Sequence, residues 1–154
     1  VDVVADDEAT GFIDPTKDDF ARFRAMDRPG PVHMLNLLRF RETAAYDDGT
    51  IATGLEAYRS YARESGPIFE RLGGRQVWAG KPELMLIGPQ TERWDLAFIA
   101  EYPSKDAFVA MLRDPDYRKA VRHRQAAVAD SRLIRMQPGE PGTHFGAMTL
   151  DEPG

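Results

Sequence analysis

Residues Trp94 to Met136 constrain this chain more than any other stretch, because they read as one complete strand–helix–helix–strand unit. Trp94 to Ala100 alternates in the manner of a strand. Tyr102-Pro103-Ser104 ends it and supplies a serine that can cap a helix. Asp114-Pro115-Asp116-Tyr117 opens a second helix, since an acidic cap followed by proline suits a first turn; that helix is expected to run through His123 and Arg124. Asp130-Ser131-Arg132-Leu133-Ile134 then leads into a closing strand.

The first half repeats the theme. Thr16-Lys17-Asp18-Asp19 resembles a capping box with Asp in place of Glu, and Phe20, Phe23 and Met26 follow on one helical face. Pro29-Gly30-Pro31 stops that helix. Val32 to Phe40 is a strand apolar enough for burial on both faces. Asp47-Asp48-Gly49 marks a turn. Thr53-Gly54-Leu55-Glu56 is a capping box, and Leu55, Tyr58, Ala62, Ser65, Phe69 and Leu72 repeat at three and four. A kink is expected at Gly66-Pro67 and a stop at Gly73-Gly74. Arg75 to Ala79 and Glu83 to Gly88 read as two short strands or one interrupted strand.

The order is a helix and then two strand–helix–strand halves. Two such halves sharing one antiparallel sheet give an α+β, ferredoxin-like βαββαβ fold with its helices on one face. Residues 1–29 are read as an N-terminal arm and helix, 30–138 as the ferredoxin-like domain, and 139–154 as a Gly- and Pro-rich tail. Because the strands look apolar on both sides, the face without helices needs a cover. A second copy of the chain is the simplest one.

Composition narrows the function classes. A net charge of −5 and the lack of a basic run argue against nucleic acid. With no cysteine there is no disulfide, thiolate metal site or cysteine nucleophile. No apolar run is long enough to span a bilayer, and the start, Val1 to Asp7, is acidic where a signal peptide would be basic. A cytoplasmic protein without a membrane partner is therefore expected.

The chain from about Gly30 to Pro138 resembles the DUF1330 proteins. The residues that carry the likeness are His33 to Phe40, Gly73-Gly74-Arg75, Trp94-Asp95, Tyr102-Pro103-Ser104, Asp114 to Tyr117, His123-Arg124 and Asp130 to Ile134. The resemblance implies two ferredoxin-like protomers joined sheet to sheet as a dimeric α/β barrel. It implies no reaction.

Arg124 is the leading candidate for a site. On a helix from Asp116, the residues Tyr117, Ala120, Val121 and Val128 form an apolar stripe, and Arg124 falls near its centre. A guanidinium there must pair with a carboxylate or an anion, or snorkel to water. Asp95 lies on the strand face of Ala97, Ile99 and Glu101, where it could act as a base, cap a turn or neutralise Arg124 or Arg132. His123, at the edge of the stripe, could move a proton near neutral pH. His33 and Asn36 must face opposite sides of their strand, and Asn36 could orient a ligand. Trp94 would line a pocket or fill the core, as would Trp78.

The three histidines, 33, 123 and 144, lack metal-ligand spacing, and no phosphate loop or nucleophile elbow is present, so no metal and no cofactor are expected. Haem held by His33 or His123 is a remaining alternative. Dimeric α/β barrels include cofactor-independent monooxygenases and haem-degrading enzymes, a likeness of fold alone. The leading expectation is a cofactor-independent enzyme, of oxygenase or isomerase type, for a small anionic and partly aromatic substrate. Arg124 or Arg132 would hold the anion between sheet and helices, Asn36, His33 and Trp94 would position it, and Asp95 or His123 would move the proton. The alternative is a non-catalytic ligand-binding or structural homodimer.

Overall fold

The structure is a computed structural model and describes residues 11–142 together with Phe145. Most of the arm and the tail, His144 included, lies outside the described residues. The elements are α1 (Lys17–Ala25), β1 (Val32–Phe40), α2 (Gly54–Arg71), β2 (Arg75–Gly80), β3 (Leu96–Tyr102), α3 (Lys105–Arg113), α4 (Pro115–Ala127) and β4 (Val128–Met136). The strands form one antiparallel sheet in the order β2-β3-β1-β4, the ferredoxin-like arrangement. The sheet is open, so a barrel is not closed within a single chain.

Local chemistry sets the helix ends. Thr53 and Glu56 form the reciprocal box, with hydrogen bonds of 3.0 Å to the Glu56 amide and 2.8 Å to the Thr53 amide. Ser104 caps α3 at 3.1 Å, and Asp114 caps α4 at 2.8 and 3.2 Å. Thr16 caps α1 through the Asp19 amide, while the Asp19 carboxylate turns to Arg22, so that box is only half made. Gly73 sits at φ +85 just past α2, a conformation that costs a side chain and suits glycine.

Apolar residues from both layers meet in two clusters. One joins Val32, Met34, Tyr102, Phe108, Met111 and Tyr117. The other joins Leu38, Ala57, Ala126, Ala127 and Val128. Phe23 of α1 stacks on Phe108 of α3 with ring centroids 5.0 Å apart, which lays α1 against the domain.

Several expectations differ from the structure. Glu83 to Gly88 is not a strand, and its Leu84, Leu86 and Ile87 are exposed. The Gly and Pro residues that bracket this run leave it too short to pair. Strand β3 begins at Leu96, so Trp94 and Asp95 precede it, although the Asp95 amide still donates to the Leu38 carbonyl at 2.7 Å. Val128 is not part of the helical stripe, because α4 ends at Ala127 and β4 starts directly at Val128. β-branched Val128 is fully buried and suits the strand better than a last helical turn. Pro67 lies inside α2, which continues to Arg71.

Candidate functional site

Between the helix layer and the sheet lies a cleft of about 1370 Å³, open to solvent on one side. Met34 and Asn36 of β1 and Phe98 and Ala100 of β3 make its floor. Tyr58, Tyr61 and Phe69 of α2, Phe20 and Phe23 of α1, and Tyr117 and Arg124 of α4 make its walls. The alternation of β1 therefore sends Asn36 toward the helices and His33 to the opposite face. The Asn36 amide is anchored by donating to the Met34 carbonyl at 3.0 Å.

Arg124 sits in this wall with its side chain 12% exposed. Its Nη1 donates to the Ile13 carbonyl at 2.6 Å, and its Nη2 reaches Ser131 Oγ at 3.5 Å. The Asp14 carboxylate stands 3.9 Å away, a loose pairing at the rim. No bidentate carboxylate closes on Arg124 among the described residues, so its fork keeps donors for a further acceptor.

Phenols cluster beside it. The hydroxyls of Tyr61 and Tyr117 are hydrogen-bonded at 2.8 Å. Burial pushes the phenols of Tyr58, Tyr102 and Tyr117 well above the ordinary value of 10.0, and nearby Arg124 offsets this only partly at Tyr58 and Tyr117. At neutral pH these three phenols are therefore neutral O–H groups and poor bases.

The other candidates do not converge here. Asp95 is exposed and its carboxylate accepts from the Phe40 amide at 2.8 Å, so it bridges β1 and β3 rather than facing the cleft. His123 is 7% exposed, with Nδ1 at 2.6 Å from Tyr46 Oη. Its Nε2 lies 2.8 Å from a Glu64 oxygen but without hydrogen-bond geometry. His33 Nε2 meets Glu101 at 2.8 Å, and Arg75 meets the same carboxylate at 2.9 Å. These two contacts, the His33 one foremost, hold Glu101 below the usual carboxylate value. Among the described residues no histidine lines the cleft, so neither His33 nor His123 is placed to ligate a haem within it.

Arg132 edges the cleft. Its guanidinium donates to Asp130 at 2.8 Å and lies between two rings, 5.1 Å from Phe12 and 5.1 Å from Trp94. Trp94 is thus a platform for an arginine. Sequence reasoning missed Tyr61, Tyr102 and the residues from Phe12 to Asp14, which complete the cleft. Tyr58 and Tyr61, one turn apart on α2, were the visible signal for the first.

Fold and cleft together define an α+β protein of ferredoxin-like architecture with a ligand-sized space under its helices. The chain belongs to the family described as a domain of unknown function (DUF1330), whose model matches residues 50–136. It is 67% identical to RPA0582, a protein of unknown function from Rhodopseudomonas palustris, over 86% of this chain and 100% of that one, with a TM-score of 0.83. The methylated form of RPA0582 superposes with a TM-score of 0.84 at 67% identity, over 87% of this chain and 99% of that chain. A dimeric protein of unknown function and ferredoxin-like fold from Bacteroides fragilis aligns at 16% identity over 70% of this chain and 95% of its own, with a TM-score of 0.46. No curated protein matches this chain. Among the described residues, no helix is long and apolar enough to cross a membrane.

Proposed function

We propose that the protein binds a small amphipathic anion, with an aromatic or alkyl body in the helix-side cleft and its anionic head on Arg124. One observation carries this reading: a mostly buried guanidinium, without a close carboxylate partner, in the wall of a cleft lined by aromatic rings. A desolvated guanidinium recognises a carboxylate or enolate strongly, because its fork matches two oxygens. Asn36 on the floor and the neutral phenols of Tyr58 and Tyr117 add donors for the same head.

Calorimetric titration with 1-naphthoate, phenylacetate and octanoate, each beside its methyl ester, tests the reading. Acids are expected to bind about tenfold or more tightly than esters, and Arg124→Leu is expected to erase the difference. Equal binding of acid and ester would contradict it.

An oxygenase- or isomerase-type reaction on the bound anion is the second reading, favoured by the Tyr61–Tyr117 pair. That pair would donate a hydrogen bond to an enolate oxygen and so stabilise developing charge. Asp95 and His123 would enter only through a rearrangement that brings them to the cleft. Oxygen uptake and solvent-deuterium exchange on the best ligand distinguish catalysis from binding alone.

Assembly as a homodimer through the sheet belongs to the same reading. Trp78, Ile99, Leu35 and Ile134 are successive cross-strand partners, a row that crosses all four strands on the face away from the helices. Trp78 and Ile134 are 51% and 47% exposed in one chain, as expected of a face that a second sheet covers. Light scattering is expected to give a dimer, and Ile134→Lys to shift it toward monomer. A monomeric native protein would remove this part.

A further inference from the structure

On the sheet face away from the helices, the end of β1 holds an arginine that none of the readings above uses. Arg39 is 7% exposed, and among the described residues its side chain has no hydrogen bond and no ion pair. Its nitrogens are not among those sealed off without a partner, so the head reaches open space. That space is a second pocket of about 280 Å³, lined by Arg39, Arg132, Thr91, Glu92 and Asp130 together with Gly11 and Pro89.

The obvious counter-charge is committed elsewhere. Asp130 faces Arg39 across the β1–β4 ladder. Its Oδ1 accepts from the Phe12 amide at 2.9 Å, the Ser131 amide at 2.9 Å and Arg132 Nη1 at 2.8 Å. Glu92 stands 3.8 Å from Arg132. Neither carboxylate comes within ion-pair distance of Arg39, whose mostly desolvated guanidinium is in a costly state unless an anion completes it.

We infer that Arg39 and Arg132 form a second binding site, for a compact oxoanion of phosphate or carboxylate type. Two guanidinium groups on one polar pocket suit a group with several acceptor oxygens, and Thr91 adds a hydroxyl. The pocket falls just below the ~300–1,000 Å³ of drug-sized ligand sites, which selects a small anion or the head of a short-chain acid. This site adjoins the helix-side cleft through Arg132, which lines both, while Arg39 belongs to this pocket alone.

Phosphorus NMR of inorganic phosphate titrated with the full chain at constant ionic strength tests it, with sulfate and acetate as competitors. Wild type is expected to broaden the phosphate signal, and competition by sulfate alone or also by acetate separates the phosphate-type from the carboxylate-type source. Arg39→Met is expected to weaken binding about tenfold or more, the loss of one charge-assisted contact, with Arg39→Lys between the two. Arg59→Met, an exposed arginine outside both pockets, is expected to leave phosphate binding unchanged. No broadening with wild type, or equal broadening with Arg39→Met, would overturn the inference. So would an Arg39→Met variant that turns a dimer into monomers while wild type ignores the anions, since the counter-charge would then come from the second copy.

Discussion

Arg124 and Ile13 are joined by a hydrogen bond of 2.6 Å, the guanidinium of α4 donating to a main-chain carbonyl ahead of α1. The contact spans 111 positions of sequence and fastens the segment that covers the cleft to the side chain proposed to read the ligand. Arg124 thus has two tasks, one in holding α1 and one in binding.

Those tasks separate experimentally. Arg124→Leu is expected to cost about 10- to 100-fold in affinity for a carboxylate ligand, from one charge-assisted hydrogen bond worth about 1.5–3 kcal/mol. Affinity for the methyl ester should change far less. Hydrogen exchange of the Phe20 and Phe23 amides should rise moderately, because Thr16 and the Phe23–Phe108 contact still hold α1. Calorimetry and exchange on the same variant check both effects.

The Tyr61–Tyr117 bond between α2 and α4 lends itself to a double-mutant cycle. Tyr61→Phe and Tyr117→Phe are each expected to destabilise, and the double variant to recover about 1 kcal/mol relative to their sum. Urea unfolding of the four proteins measures the coupling. Strict additivity would mean that the hydroxyls do not work as a pair.

Glu101 predicts an acid limb to stability. His33 first and then Arg75 hold its folded pKa below the ordinary 4.5. The stabilisation is therefore whole above about 4.5 and is lost as pH falls through the lowered folded value. Asp114 acts with the same sign, with Arg71 at 2.6 Å holding its carboxyl below the ordinary 3.8. Unfolding midpoints followed from about pH 7 to about pH 3 should fall, and fall less steeply in Glu101→Gln, which should also be less stable at neutral pH. An unchanged slope in that variant would contradict the pairing.

Local signals in the sequence translated directly into structure. Thr53, Ser104 and Asp114 cap helices because each places a short polar side chain ahead of an amphipathic run, and β1 begins and ends at Val32 and Phe40 as its pattern indicates. Arg124 was found because a charge interrupts an apolar stripe. Convergence was a different matter. Asp95 and His123 are chemically suited to catalysis, yet the first is spent on the Phe40 amide and the second on Tyr46, partners far away in sequence. The two faces of β1 were equally apolar, so alternation could not say whether His33 or Asn36 faces the helices. Arg39 stood in plain view at the end of that strand, and only its burial and the commitments of Asp130 give it meaning.

Gly54 marks the tightest backbone approach at the start of α2. A Cβ there would stand 2.0 Å from the Arg41 carbonyl oxygen and 2.9 Å from that of Ala127, both of them main chain. Gly54→Ala is expected to cost about 1–3 kcal/mol or more, because the β1–α2 connection and the end of α4 must move apart. Gly66, half-buried at the cleft, has open space around its Cβ position. Pro67 follows it, and the proline ring crowds a side chain on a helical residue before it, so Gly66→Ala is expected to leave stability within about 1 kcal/mol. Thermal unfolding is expected to show a much larger loss in Gly54→Ala than in Gly66→Ala.

The most direct measurement is a crystal structure of the protein grown with 1-naphthoate. Ring density among Phe20, Tyr58, Tyr61 and Phe98, with the carboxylate within hydrogen-bond distance of Arg124, is the expected result. A ligand bound outside the helix-side cleft, or a cleft that excludes it while Arg124 closes on Asp14 as a bidentate pair, would contradict the proposal that this cleft is the binding site.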